Sequence, residues 1–79
     1  LLPKLFENQV SKTPDLTAVM DEHTVLSYMD LNKRANRLSH LLLEKGIGPE
    51  KFVAIALNRS VDMVISMLAV LKTGAATDS

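Results

Sequence analysis

Cysteine is absent from these 79 residues. Its absence excludes disulfides and thiolate metal sites, two common supports of a small domain, and fits a reducing compartment. Charge of one sign is missing too, because nine basic residues cancel nine acidic ones. With no basic field and no acidic tail, nothing in the balance selects a nucleic-acid partner. No membrane span is read either: Phe52 to Leu57 is too short and Val61 to Leu71 too interrupted. The first ten residues lack the basic segment, apolar stretch and cleavage site of a signal peptide. Repeats, low-complexity tracts and flexible linkers are also lacking. The composition therefore reads as a cytoplasmic segment, at most one small domain, of a size that buries only about 60% of its unfolded surface.

The apolar pattern divides the chain into five elements. Residues 1–12 form an opening helix: Pro3 suits a first turn, and Leu2, Phe6 and Val10 fall four apart on one face. Thr13-Pro14-Asp15 breaks it, since a proline pushes the preceding residue out of the α region. Residues 17–27 read as a hairpin of two extended pieces, Thr17 to Met20 and Thr24 to Leu26, joined by Asp21-Glu22-His23. Ser27-Tyr28-Met29-Asp30 then fits a helix start, with Ser27 accepting from a first-turn amide and Asp30 favouring the positive end. Tyr28, Leu31, Ala35, Leu38 and Leu42 recur at steps of three and four. They predict an amphipathic helix over 28–45, closed by Gly46, with Arg37 and His40 facing water.

After a loop at Ile47-Gly48-Pro49-Glu50, residues 52–57 form a continuous apolar run, the pattern of a strand buried on both faces. Ser60 caps a last helix over 60–73, with Asp62 in its first turn. That helix is apolar nearly all round, with Asp62, Ser66 and Thr73 as a thin polar stripe, so it is expected to be buried in a larger body. Gly74 reads as its C-cap, and in an α/β protein a strand should follow. Only Ala75 to Ser79 remain, so the order of elements describes the opening of a layered α/β domain, incomplete as a domain and ending before any residue that does chemistry.

Each feature that suggests chemistry has a plainer explanation. Ser27 and Tyr28 lack a neighbouring acid or base, whereas a capping box with a core tyrosine accounts for the whole segment to Leu31. Asn58-Arg59-Ser60 is able to cradle an anion at a helix start, but an N-cap with a surface arginine is the favoured explanation. Gly46-Ile47-Gly48 fails the dinucleotide fingerprint. His23 and His40 lie in different elements without the partners a zinc site needs, and both read as solvated. Lys72 reads as a cation favouring the negative end of its helix rather than as a catalytic lysine. The four methionines read as core filler. No catalytic, cofactor-binding or metal-ligating residue is assigned.

Four segments resemble amino-acid adenylation domains of nonribosomal peptide synthetases. Leu26-Ser27-Tyr28-Met29-Asp30-Leu31 resembles the first core motif, commonly Leu-Thr/Ser-Tyr-x-Glu-Leu. Asn32-Lys33-Arg34-Ala35-Asn36-Arg37-Leu38-Ser39-His40-Leu41-Leu42 resembles the helix that follows it. Arg59-Ser60 with Leu68-Ala69-Val70-Leu71-Lys72-Thr73-Gly74-Ala75-Ala76 resembles the second core motif, Leu-Lys-Ala-Gly-x-Ala-Tyr-Val-Pro. Leu5 to Val10 with Thr13-Pro14-Asp15 resembles the usual opening of such a domain. One departure stands out: Thr77-Asp78-Ser79 replace the Tyr, aliphatic and Pro of the motif, which bears on whether a strand forms after Gly74.

The resemblance implies an adenylate-forming enzyme whose large N-terminal subdomain begins with this helix–hairpin–helix–strand–helix portion. It implies a parent that uses ATP and magnesium to make an aminoacyl-adenylate and passes the acyl group to the phosphopantetheine thiol of a carrier domain. The family's phosphate loop, acidic ligands, amino-acid pocket and late catalytic lysine have no counterpart here. On this reading the 79 residues are scaffold, inactive alone, with the rest of the adenylation domain and neighbouring condensation and carrier domains as partners. The other readings are a non-catalytic module that docks on such domains, and the start of an acyl-CoA ligase or luciferase-like enzyme. The amino acid activated is not legible.

Overall fold

The computed structural model describes residues 2–47 and 60–77. The apolar run 52–57 and Arg59 lie outside the described residues. Helix α1 (Leu2–Lys12) opens the chain with Pro3 in its first turn and Val10 buried on its inner side. It ends at Thr13, whose amide and hydroxyl both donate to the Gln9 carbonyl at 2.9 and 3.2 Å. Gln9 Nε2 donates back to Thr13 Oγ1 at 2.8 Å. The helix stops where a residue before proline is forced out of helical geometry.

Strands β1 (Thr17–Met20) and β2 (Val25–Ser27) pair antiparallel, with Thr17 opposite Ser27, Val19 opposite Leu26 and Met20 opposite Val25. A bulge between Thr17 and Val19 takes up one extra residue and re-aims the ribbon. Leu26 turns into the core, while the cross-strand pair Met20 and Val25 stands 67% and 60% exposed.

Helix α2 (Tyr28–Glu44) starts on β2 without a connecting loop. Its first three amides are all satisfied: Tyr28 N donates to the Leu16 carbonyl at 3.0 Å, Met29 N to the Pro14 carbonyl at 3.0 Å, and Asp30 N to Ser27 Oγ at 3.1 Å. At the other end Gly46 adopts φ +71, a left-handed conformation that costs a glycine little. Gly46 N donates to the Leu43 carbonyl at 3.0 Å and Ile47 N to that of Leu42 at 2.9 Å, the bond pattern of a Schellman cap. Leu31, Ala35 and Ser39 form the buried stripe at four-residue spacing, with Leu38 beside it, and Arg37 and His40 are exposed.

Helix α3 (Val61–Thr77) lies against α2 in the most extensive packing of the chain. Val61, Ile65, Ala69, Lys72 and Thr73 are its buried positions. Ala35 on α2 and Ala69 on α3 are both fully buried, and side chains this small let two helices approach closely. Leu26, Leu31, Val61 and Ile65 make the core cluster, flanked by Phe6, Ala18, Val19, Leu38, Val64 and Leu68. One residue or more from every element thus meets in a single core.

Two expectations about the last helix need correction. It does not end at residue 73: it continues through Gly74 to Thr77, so no strand begins there. A glycine inside a helix costs about 1 kcal/mol against alanine, and the two strong helix formers that follow, Ala75 and Ala76, favour continuation. Thr73 belongs to no polar stripe, because it is fully buried with its hydroxyl donated to the Val70 carbonyl. The helix is not covered all round, as expected of one that needs a larger body: Met67 and Leu71 are 52% and 36% exposed among the described residues.

Candidate functional site

The residues of the first motif stand together at the junction of β2 and α2. Ser27 has φ −72 and ψ 168, the extended conformation of an N-cap, and its hydroxyl is occupied by the Asp30 amide. Tyr28 is half-buried with its ring centroid 6.2 Å from that of Phe6 on α1. Leu31 is a core residue and Asp30 is exposed in the first turn. A hydroxyl that caps a helix and a tyrosine packed on a phenylalanine form a structural joint. Neither is paired with an acid or base among the described residues.

The second motif is split. Ser60 precedes α3, while Leu71, Lys72 and Gly74 lie in the helix body. Ser60's carbonyl accepts from Met63 N at 3.2 Å, but the side chain found at the helix start comes from elsewhere. Asp21 Oδ2 accepts from Val61 N at 2.9 Å, across 40 residues of sequence. Its Oδ1 accepts from His23 N and Thr24 N, each at 2.8 Å, closing the hairpin turn from within. The Val61 bond is the largest influence holding the Asp21 carboxyl below its ordinary pKa. The His23 and Thr24 amides add to it, and desolvation opposes them. An anion therefore does sit at the start of α3, and it is the chain's own.

Lys72 also differs from its sequence reading. With α3 running on to Thr77 it is not in the last turn, so no helix-end charge effect explains it. It is 7% exposed, and its Nζ lies 3.3 Å from Glu7 Oε1 and 5.7 Å from the centroid of the Phe6 ring. A buried ammonium needs a counter-charge, and α1 supplies both a carboxylate and an aromatic face. Lys72 thus joins α3 to α1. The signal available in the sequence was a lone lysine in an otherwise apolar helix, with nothing to indicate its partner.

Open grooves are also lined by described residues. One of about 500 Å³ follows α2, lined by Arg34, Arg37, Leu38, His40, Leu41 and Glu44. Another of about 350 Å³ lies where the hairpin meets α3, lined by Val19, Met20, Ser60, Val61, Met63 and Val64. Among the described residues no three of His, Cys, Asp or Glu come together to hold a metal ion, and no helix is long and apolar enough to cross a membrane. His23 is exposed beside Glu22 at 4.0 Å, and His40 is exposed on α2. Asn32 Oδ1 is the one buried side-chain polar atom without a partner among the described residues.

Comparison with known proteins adds what the geometry lacks. Residues 6–77 match the AMP-binding enzymes. The chain is 53% identical over 75 residues to a dimodular nonribosomal peptide synthase of Bacillus subtilis (strain 168), covering 95% of the chain and 3% of that protein. It is 52% identical over 73 residues to gramicidin S synthase 2 of Brevibacillus brevis, covering 92% of the chain and 2% of that protein. Tyrocidine synthase 3 of Brevibacillus parabrevis is 51% identical over 75 residues, covering 95% and 1%. The chain therefore spans only a few hundredths of the length of these relatives.

Proposed function

The chain belongs to the AMP-binding enzyme family, and from that membership we propose that it is scaffold within an amino-acid adenylation domain of a nonribosomal peptide synthetase. The observation that carries the reading is identity of 51–53% to peptide synthases over more than nine-tenths of the chain. The start of an acyl-CoA ligase or luciferase-like enzyme gains no such support from these relatives. In this proposal the chain is the first helix–hairpin–helix–strand–helix portion of the large N-terminal subdomain. The parent joins an amino-acid carboxylate to the adenylyl group of ATP, releases pyrophosphate, and hands the acyl group to a phosphopantetheine thiol on a carrier domain.

No acidic cluster is present among the described residues, and the amide that opens α3 already donates to Asp21. We therefore assign no step of the reaction to these side chains. Their part is mechanical: the Ser27 cap, the Lys72–Glu7 pair and the shared core hold three helices and a hairpin in fixed relation. The exposed apolar side chains of Met20, Val25, Met67 and Leu71 favour a scaffold that docks on the remainder of its domain over an independent module.

Amino-acid-dependent exchange of pyrophosphate into ATP tests both halves of the reading. A longer polypeptide carrying this sequence should show exchange with at least one amino acid, and the 79-residue chain none above a protein-free control. Exchange by the short chain would overturn the scaffold role. No exchange by the long one with any amino acid would overturn the activity.

A further inference from the structure

Asp21 does two jobs with one carboxylate, and only the first is local. Oδ1 closes the turn between β1 and β2 through the amides of His23 and Thr24. Oδ2 reaches out of the hairpin to Val61 N, the first amide of α3. An exposed helix start leaves amides without partners and gathers partial positive charge, so a carboxylate placed there is held by hydrogen bond and field together. Both partners sit at the edge of the core: Val61 is 3% exposed, and Val19 and Met20 of β1 line the same groove as Val61.

We propose that Asp21 is a latch that ties the hairpin turn to the start of α3 and opens when its carboxylate takes a proton. Protonation leaves the turn one oxygen acceptor and removes the charge facing the helix start, so the long-range bond weakens first. Among the described residues, the charged groups next to the carboxylate and its partners in sequence are Glu22 and His23 within the turn and Asp62 in the first turn of α3. His23, when protonated, adds a small attraction that favours the ionised form. Because the folded chain holds this carboxyl below its unfolded pKa, the latch contributes fully above the unfolded value. It is lost as the pH falls through the lowered folded one.

The latch makes a distinctive prediction for an amide titration of the 15N-labelled chain. The amide signals of His23, Thr24 and Val61 should follow one common midpoint, below the usual carboxylate range, although Val61 is 40 residues away from Asp21. In Asp21→Asn the acid transition at Val61 should vanish and its hydrogen exchange quicken, while the Asp30 amide, bonded to Ser27, keeps its protection. Asp62→Asn serves as control and should leave the Val61 midpoint in place. The latch is overturned if Val61 is unprotected at neutral pH, if it titrates with Asp62, or if Asp21→Asn leaves both its midpoint and its exchange unchanged.

Discussion

α2 and α3 each begin behind a serine with an acidic residue in the first turn, yet the two ends are held by different means. At α2 the cap is local: Ser27 Oγ takes the Asp30 amide three residues on, and loop carbonyls at Pro14 and Leu16 take the two amides before it. At α3 the side chain is imported, since Asp21 supplies the acceptor for Val61 from the tip of the hairpin. A local cap stabilises a helix wherever that helix happens to be. An imported cap also fixes where the helix lies, because the bond exists only when turn and helix are already docked. In a scaffold whose part is to set relative positions, the second kind does more for architecture, and the first more for helix formation.

Both starts depend on the same core, which sets the largest expected effect. Leu31 follows the Ser27 cap by four residues and is 2% exposed in the cluster that also holds Val61 and Ile65. Leu31→Ala should cost about 2–5 kcal/mol by the lost transfer energy and the cavity left behind. Urea unfolding followed by circular dichroism measures it. A cost below about 1 kcal/mol would mean that the two helices do not share a packed core, and that their ends are independent.

A smaller effect belongs to the local cap itself. Ser27→Ala removes the acceptor for the Asp30 amide and should destabilise the chain by about 1 kcal/mol, within the usual range for such caps. Asp30 remains in the first turn and keeps its favourable interaction with the helix end, so the helix should shorten or fray at its start rather than dissolve. If the same denaturation experiment shows no loss, the loop carbonyls of Pro14 and Leu16 hold α2 without the serine.

Which parts of the fold were readable follows from the same distinction. Ser27, the Thr13-Pro14 break, the Asp21-Glu22-His23 link of the hairpin and the Gly46 terminus are settled by neighbours within a few residues, and all stand where local chemistry puts them. Gly74 shows the limit of that reasoning: the residue type that ends α2 lies inside α3, where the alanines after it keep the helix going. Lys72 and Asp21 were misread or missed because their partners, Glu7 and Val61, are far away in sequence. No local pattern distinguishes a lysine at a helix end from one buried against a carboxylate on another helix. The motif residues were legible as a resemblance, and the surroundings of Ser27 and Tyr28 explain these two as a joint.

The smallest expected effect is the sharpest test of the comparison. Ser60→Ala alters the residue that corresponds in position to Ser27, but the two bonds observed at α3 run from Met63 N to the Ser60 carbonyl, which the substitution leaves in place, and from Val61 N to the Asp21 carboxylate. The change should therefore stay within about 0.5 kcal/mol, the range of substitutions that remove no specific feature. It should also leave the Val61 amide protected, since the donor and acceptor of that bond are untouched. Measured beside Ser27→Ala under the same conditions, it compares two serines at two helix starts in one chain. Equal losses would show that α3 is capped by its own serine in solution and that the bond to Asp21 adds little. A loss confined to Ser27→Ala would show that one helix carries its own cap, while the start of the other is held by a residue of the hairpin.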